Sequence, residues 1–301
     1  MNELIIWYGE LTTPRRLTRR GLKFLGVGML WILLFLVLPG LVLVAVSFAT
    51  RGSYGQLEWS FTLENYKRLT GFSVFGWTAD YMIILWRSVW VAFVTCLAAV
   101  ILSYPLCFFI CSRPERTRYL WLMLVVIPFW TNMVIRTYAW FLILAPEFPP
   151  ARIAHFFGFL PPNTPLYPNA FAVYIGMVTI FLPFVALPLY SSVERLDWSL
   201  VEAAQDLYAS RTRVFLQAIL PQTMPGLSVG IILTFVPAMG MFVVPDLLGG
   251  AKYMLVGNLI EQQFGASRDW PFGAAVSMAL MLLTMVSLYL YRRKHKEMQI
   301  V

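Results

Sequence analysis

Six long apolar stretches constrain this chain more than any other feature, because each is close to the length that a helix needs to cross a lipid bilayer. A spanning helix requires about 20 predominantly apolar residues. The stretches that meet this requirement are residues 25–48, 88–111, 119–144, 170–190, 227–245 and 271–291. The third is the least regular, since Arg136 interrupts it and Pro128 can kink it. The sequence therefore predicts an all-α integral membrane domain at residues 25–291, with six transmembrane helices.

The composition supports a membrane protein. Hydrophobic residues make up 59% of the 301 residues and charged residues 13%, whereas a typical soluble domain carries about 25% charged residues. The three cysteines all fall in the second apolar stretch, where packing explains them better than a disulfide. Cysteine and histidine do not cluster in the sequence, so no metal site is predicted.

Lysine and arginine are concentrated in segments that would share one side of the membrane. These segments are the tail at 1–24, the connection at 112–118, the connection at 191–226 and the tail at 292–301. Cytoplasmic segments of membrane proteins carry such an excess, so we expect both termini and the 191–226 connection to be cytoplasmic. The net charge of +8 follows from this bias. Topology thus explains the basic residues without a nucleic-acid partner, and membrane lipid is the expected surrounding.

The sequence shows no means of powering transport within the chain itself. Carriers driven by ion gradients place Asp, Glu or His inside the bilayer, but all 15 acidic residues here lie outside the apolar stretches. The phosphate-binding pattern G-x-x-x-x-G-K-[ST] does not occur in the sequence either. We therefore predict no enzymatic activity for this chain. Either a partner protein supplies the energy, or the chain is a self-sufficient channel or secondary carrier.

The connection between the fourth and fifth stretches is amphipathic and predicts two short helices. Ser199 and Glu202 have the spacing of a capping box at the start of a helix over residues 200–207. A second helix is predicted from a Ser210 cap to just before Pro221. The first helix can dock another protein with its apolar face, or pack that face beneath the membrane helices of the chain itself. The residues of this face have the helical i, i+3, i+4, i+7 spacing and are Leu200, Ala203, Ala204 and Leu207.

The sequence Glu202-Ala203-Ala204, followed by Leu220-Pro221, resembles the EAA loop of ABC-importer permeases. The family pattern is Glu-Ala-Ala, three residues, Gly, nine residues, Ile, one residue and Leu-Pro; here Tyr208 replaces the Gly and Ala218 the Ile. A left-handed turn costs a bulky residue about 1–2 kcal/mol, so we expect a differently built turn or weaker docking. The resemblance implies that the loop fits a groove on an ATP-hydrolysing subunit. The predicted ATPase-coupling residues are Ser199, Glu202, Ala203, Ala204, Leu207, Tyr208, Ala218, Leu220 and Pro221.

Other segments narrow the resemblance to the permeases of spermidine/putrescine importers, and to the first of their two permease subunits. These segments are residues 61–66, 127–132, 135–140, 245–250 and 268–271. The resemblance implies a type I ABC importer permease architecture with a cytoplasmic EAA coupling loop. It also implies three partners, namely a paralogous second permease, a dimer of ATP-binding subunits and a periplasmic polyamine-binding protein. Cofactors are expected only on the partner ATPase, as ATP and Mg²⁺.

The function that this resemblance implies is movement of polyamines from periplasm to cytoplasm across the bacterial inner membrane, by alternating access. Another small cationic or opine-like solute is the alternative within the same class. A flexible polycation needs carboxylates and aromatic faces to replace its water. The aromatic candidates can instead form a membrane-interface belt, Asn132 can join helices, and Arg136 is expected to pair with an acid or a lipid phosphate. The substrate-path candidates are Trp130, Asn132, Tyr138, Asp246, Glu261 and Trp270.

Overall fold

A computed structural model describes residues 26, 28–52, 55–73, 76–159, 161, 163–250 and 253–298 of the 301-residue chain. The predicted N-terminal tail at 1–24 and the end of the C-terminal tail, from residue 299 onwards, lie outside the described residues. In chain order the elements are α1 Gly28–Ser47, β1 Thr50–Arg51, β2 Leu57–Glu58, α2 Glu64–Leu69, β3 Phe72–Ser73, β4 Gly76–Trp77, α3 Asp80–Cys111, α4 Glu115–Trp130, α5 Met133–Ile143, α6 Pro149–Phe156, α7 Ala170–Glu194, α8 Trp198–Asp206, α9 Arg211–Met239, α10 Val243–Gly249, α11 Val256–Phe264 and α12 Trp270–Met298. The strands form two antiparallel hairpins, β1 with β2 and β3 with β4.

Five of the described helices are long and apolar enough to cross a membrane, namely α1, α3, α7, α9 and α12. Helices α4 and α5 meet the same requirement together but are bent by 95° at their junction, so the described residues provide up to six spans. The all-α membrane architecture predicted from the sequence is confirmed. Some boundaries differ from the predicted stretches, since α3 begins at Asp80 and α7 continues to Glu194.

Helix α9 joins two segments that the sequence analysis separated. The predicted second loop helix does not end before Pro221; it continues into the membrane as one helix to Met239. A π-helical turn at Phe215–Ile219 precedes the proline. This wider turn displaces the carbonyl that the proline ring would otherwise crowd. The fifth span also ends earlier than predicted, and residues 243–249 form the separate helix α10.

Helices α3, α7 and α9 pack against one another at the centre of the fold. The backbones of α7 and α9 approach closely at Gly226 and Gly230. The N–H of Gly226 donates to Ser192 Oγ at 3.0 Å, and a Cβ at this position would collide with the Pro188 carbonyl and with Ser192 Oγ. A Cβ at Gly230 would lie 3.0 Å from Val185 Cα. Small residues four apart permit such close approach, which is common between membrane helices.

The remaining elements surround this centre. Helix α1 lies along α12, and most of its large apolar side chains are exposed at the surface. Helix α10 packs on α5 and α7, while α11 packs on α12. An apolar outer surface of this kind suits helices in contact with lipid.

The third predicted span is broken between α4 and α5 rather than kinked at its proline. Asn132 begins α5, because its Oδ1 accepts a hydrogen bond from the Val134 N–H at 2.8 Å. Arg136 Nη2 donates to the carbonyls of Phe129 at 3.2 Å and Thr131 at 3.0 Å, which α4 leaves free where it ends. Among the described residues Arg136 therefore bonds to backbone and forms no ion pair with an acid; its pairing with a lipid phosphate stays a prediction. Side chains thus cap both helix ends at the break.

Different side-chain contacts join the helices at the two ends of the bundle. At one end, which we call the loop face, Arg118 joins α4 to the end of α7: its Nη1 lies 3.1 Å from Glu194 Oε1. Tyr190 Oη donates to the same oxygen at 2.7 Å. Helix α8 and the start of α9 lie at this end. At the opposite end, the distal face, Ser88 Oγ accepts a hydrogen bond from the Val256 N–H at 2.8 Å and joins α3 to α11.

Candidate functional site

Asp197, and not Ser199, caps the start of α8. Asp197 Oδ1 accepts hydrogen bonds from the Ser199 N–H at 3.0 Å and from Ser199 Oγ at 2.7 Å. Because the helix starts at Trp198, the predicted capping box of Ser199 and Glu202 does not form. An aspartate here satisfies a free N–H of the first turn, and its charge is favourable near the helix N-terminus. Among the described residues the Glu202 side chain accepts no capping hydrogen bond, and it is exposed.

Tyr208 forms the turn between α8 and α9. Its φ is +56°, in the left-handed region that favours glycine. The Ala209 N–H donates to the Ala204 carbonyl at 3.2 Å, and the Tyr208 N–H donates to the Gln205 carbonyl at 2.9 Å. These are the two hydrogen bonds of a Schellman ending. The turn is therefore not rebuilt without the family's glycine: the tyrosine adopts the left-handed conformation, at a cost of about 1–2 kcal/mol.

A small apolar cluster holds α8 against the start of α9. Two of the predicted coupling residues, Ala204 and Ala218, face inward as part of this cluster. A third, Leu220, packs against the buried apolar cluster that includes Leu227. The buried members of the cluster are Leu196, Val201 and Val214, and Ala204, Ala209, Ala218 and Ile219 pack around them. The loop therefore has its own core, which fixes the orientation of the outer face of α8.

The outer face of α8 carries the other coupling candidates. The side chains of Leu200, Leu207 and Tyr208 are 53%, 82% and 98% exposed. Glu202 and Ala203 are exposed as well. Three of the four residues of the predicted stripe thus point outward and do not pack beneath the membrane helices of the chain. Contiguous exposed apolar side chains of this kind are typical of a contact site for another molecule.

Three of the substrate-path candidates lie at the break between α4 and α5. Trp130 is 84% exposed at the end of α4, and Tyr138 is half-exposed on α5. Asn132 caps α5 through its Oδ1, and no hydrogen bond of its side chain to another helix occurs among the described residues. Trp130 thus ends α4 and Asn132 precedes α5, two residues apart at the break.

The other three candidates lie on the distal-face elements. Asp246 is in the first turn of α10 rather than at the end of the fifth span, and both it and Glu261 of α11 are exposed. The Trp270 ring, at the start of α12, lies 6.4 Å from the Phe264 ring. Helix α10 packs on α5, so the helix that carries Asp246 contacts the helix that carries Tyr138 of the other group. No hydrogen bond or ring contact between described residues joins one of the six candidates to another.

Two residues far apart in the sequence form an ion pair that the sequence analysis did not identify. Arg68 Nη1 of α2 lies 2.7 Å from Asp269 Oδ2, and the Arg68 guanidinium carbon lies 4.0 Å from the centre of the Phe272 ring. Asp269 Oδ1 also accepts a hydrogen bond from the Phe272 N–H at 3.3 Å. Burial disfavours the Arg68 cation, but hydrogen bonds to Asp269 and Tyr81 outweigh it and raise the pKa of Arg68. We call this contact of α2 with α12 the distal clasp.

Replacing Asp269 with asparagine should loosen the distal clasp. Asp269 is buried, so the variant leaves Arg68 with a weaker acceptor in a partly dry site. The expected loss is about 1–3 kcal/mol of local stability, below the value for a fully buried pair because Arg68 is 37% exposed on its side chain. Hydrogen exchange should become faster in residues 55–73 of the Asp269→Asn variant. The exposed Asp80→Asn variant is the control, and equal protection in the two variants would contradict the role of the clasp.

The three cysteines are free thiols within α3. Cys96 and Cys107 are buried, and Cys107 Sγ donates to the Ala186 carbonyl at 3.3 Å. They therefore pack between helices, as predicted. Within the part of the chain that the structure describes, no group of three or more His, Cys, Asp or Glu residues is placed to hold a metal ion.

Comparison with known proteins gives one family match over most of the chain. The model of the family described as "Binding-protein-dependent transport system inner membrane component" matches residues 103–299. This range includes the break between α4 and α5, the whole loop face and the distal-face helices α10 to α12.

Curated relatives match over a longer part of the chain. The chain is 41% identical over 263 residues to the spermidine/putrescine transport system permease protein PotB of Escherichia coli (strain K12). The match covers 87% of this chain and 93% of the relative. The chain is 40% identical over 266 residues to the protein of the same name from Haemophilus influenzae, covering 88% and 91%.

A solved structure shares the fold. One chain of the crystal structure of a bacterial alginate ABC transporter, in complex with an alginate pentasaccharide-bound periplasmic protein, superposes with a TM-score of 0.67. The match covers 94% of this chain and 97% of that chain at 13% sequence identity. At this identity the similarity establishes the fold alone.

Proposed function

Because this chain belongs to the family of binding-protein-dependent transport system inner membrane components, we propose that it is a permease subunit of an ATP-driven importer that moves polyamines into the cytoplasm. The observation that carries the substrate class is the 41% identity to a spermidine/putrescine transport permease over 87% of the chain. A self-sufficient channel or secondary carrier is not favoured, since these relatives are components of transport systems.

The importer assembled around this chain contains a paralogous second permease, a dimer of ATP-binding subunits and a periplasmic polyamine-binding protein. Both termini and the loop face lie in the cytoplasm in this proposal, which the excess of Lys and Arg in these segments supports. Polyamines enter from the distal face, where the binding protein docks. This chain binds no cofactor; ATP and Mg²⁺ bind to the partner ATPase.

Energy reaches this chain through the loop face. The exposed side chains of Leu200, Ala203 and Leu207 dock in a groove of the ATP-binding subunit. Closure of the ATP-binding dimer moves α8, and α8 is tied to α9 by the apolar cluster around Val201 and Val214. Since α9 runs without interruption from Arg211 to Met239, it transmits the movement from the loop into the membrane. The substrate path then opens alternately to the periplasm and to the cytoplasm.

The substrate path combines the two groups of candidates. Ammonium groups of a polyamine pair with exposed carboxylates such as Asp246 and Glu261, and its methylene segments lie against the rings of Trp130 and Tyr138. The paralogous permease supplies the other half of the path. Arg136 lies beside this path, where its bonds to two backbone carbonyls at the α4 end partly offset its positive charge.

Uptake by cells tests this proposal. A strain without polyamine uptake of its own, given this chain and the other importer subunits, should accumulate radiolabelled spermidine or putrescine in a saturable manner that energy depletion abolishes. The same strain without this chain is the control. Uptake that persists without the chain would contradict the proposed function. Uptake of labelled polyamine that an excess of unlabelled polyamine does not reduce would contradict it as well.

A further inference from the structure

We propose that Tyr208 is a recognition residue, whose ring inserts into the ATP-binding subunit and helps this permease select its own ATPase partner. The inference rests on the proposed function, because it deepens the contact between the loop face and the ATP-binding subunit. It assigns to one side chain a role that the loop geometry alone does not require.

The first observation is that the backbone does not benefit from a tyrosine here. The turn between α8 and α9 needs a residue with positive φ, and the φ of Tyr208 is +56°. Glycine meets this need without strain, because it has no Cβ to contact the following carbonyl oxygen. Both hydrogen bonds of the turn involve only main-chain groups, so glycine would keep them. The side chain therefore adds strain and no local bond.

The second observation is that the ring has no use within the described part of the chain. Tyr208 is 98% exposed. No ring contact or hydrogen bond of its side chain to another described residue is present, in contrast to Tyr104 and Tyr190, which bond to Thr223 and Glu194. A strained backbone conformation that nothing nearby offsets is a common mark of a functional contact.

The third observation is the position of the ring. Tyr208 follows Leu207 directly; Leu207 is the C-cap of α8, and Leu200, two turns earlier on the same face of that helix, is exposed as well. The ring thus extends the apolar surface that the proposed docking already uses. Acidic side chains on the same helix and basic side chains beside it are also exposed, namely Glu202, Asp206, Arg195, Arg211 and Arg213. This face therefore carries both signs of charge, unlike the clusters of about four or more basic residues that bind anionic lipid. A protein groove is the occupant that this surface fits.

The chemistry of tyrosine suits this role. An aromatic ring buries a large area with few rotatable bonds, so tyrosine is frequent among the residues that dominate binding energy. An ATP-binding subunit with a pocket for the ring gains a contact with a permease that carries tyrosine at position 208. It lacks that contact with a permease that carries glycine there. Selection between partners follows from this difference in affinity.

The affinity of the assembled permease pair for its ATP-binding subunit tests the inference. The Tyr208→Gly variant should bind about tenfold more weakly or worse, while its thermal unfolding temperature without the ATP-binding subunit stays equal or rises. Tyr208→Phe keeps the ring and should bind within about twofold of the unchanged chain. Phe159→Ala removes an exposed ring between α6 and α7 and is the matched control, with no expected effect on binding.

A Tyr208→Gly variant that binds the ATP-binding subunit as tightly as the unchanged chain, or more tightly, would overturn the inference. The same holds if Phe159→Ala weakens binding equally. Failure of the proposed substrate would look different: binding would still depend on Tyr208, but no polyamine would enter the cells. Conversely, polyamine uptake with unaltered binding by Tyr208→Gly would leave the proposed function intact and remove only the recognition role.

Discussion

Cells that carry the double variant Glu202→Lys, Ala203→Trp should show polyamine uptake no higher than cells without the chain. Both side chains lie on the exposed outer face of α8, so in the proposed complex a reversed charge and a bulky ring would meet the ATP-binding subunit directly. The chain itself should remain folded, because α8 is held by Val201 in the apolar cluster and by the Asp197 cap. Radiolabelled uptake and the amount of chain in the membrane fraction measure the two effects separately.

The control for this experiment is Glu115→Lys, which reverses an exposed acidic charge at the start of α4. It changes the charge of the loop face without changing α8, and uptake should stay near that of the unchanged chain. Normal uptake by the double variant, at a normal amount of chain in the membrane, would contradict coupling through α8. Loss of uptake together with loss of the chain would instead contradict the assignment of these residues to the surface.

Substitution of Gly226 by valine should have the largest effect on stability. A Cβ at this position collides with the Pro188 carbonyl and with Ser192 Oγ. A backbone carbonyl within α7 cannot move aside as a side chain can, so α7 and α9 must separate. Overpacking of a close contact costs about 1–3 kcal/mol, and more where backbone must shift. Thermal unfolding of the purified chain in detergent should occur at a clearly lower temperature, with less chain recovered from the membrane.

Gly40→Ala is the matched control, since it adds the same first carbon to a glycine of a spanning helix. No atom lies within 4 Å of a Cβ built at Gly40, so this variant should unfold at the temperature of the unchanged chain or above it. Equal unfolding temperatures for the Gly226→Val and Gly40→Ala variants would contradict the close contact between α7 and α9.

The membrane architecture was predictable from sequence because the requirement for length and apolarity acts on each helix separately. The exact course of α9 was not, since Pro221 is a signal for a helix end and only the π-helical turn at Phe215–Ile219 removes the clash. The break at Asn132 was hidden for a similar reason. Asparagine within an apolar stretch is ambiguous, and its use as a cap depends on the direction that the chain takes afterwards.

The candidate site was predictable in outline and not in its details. The pattern around Glu202 marked the loop, but Asp197 caps the helix two residues before the predicted Ser199. The positive φ of Tyr208 follows from the Schellman ending, which the sequence did not indicate because tyrosine seldom occupies that place. The distal clasp joins Arg68 to Asp269, and no local pattern connects residues so far apart.

Reconstitution into liposomes is the most direct test of whether this chain obtains its energy from a partner at the loop face. Proteoliposomes with this chain alone, under an imposed proton or sodium gradient, should not accumulate radiolabelled spermidine. Proteoliposomes with the second permease, the ATP-binding subunits and the binding protein should accumulate it when ATP is supplied. Accumulation by the chain alone in response to the ion gradient would contradict the proposed mechanism.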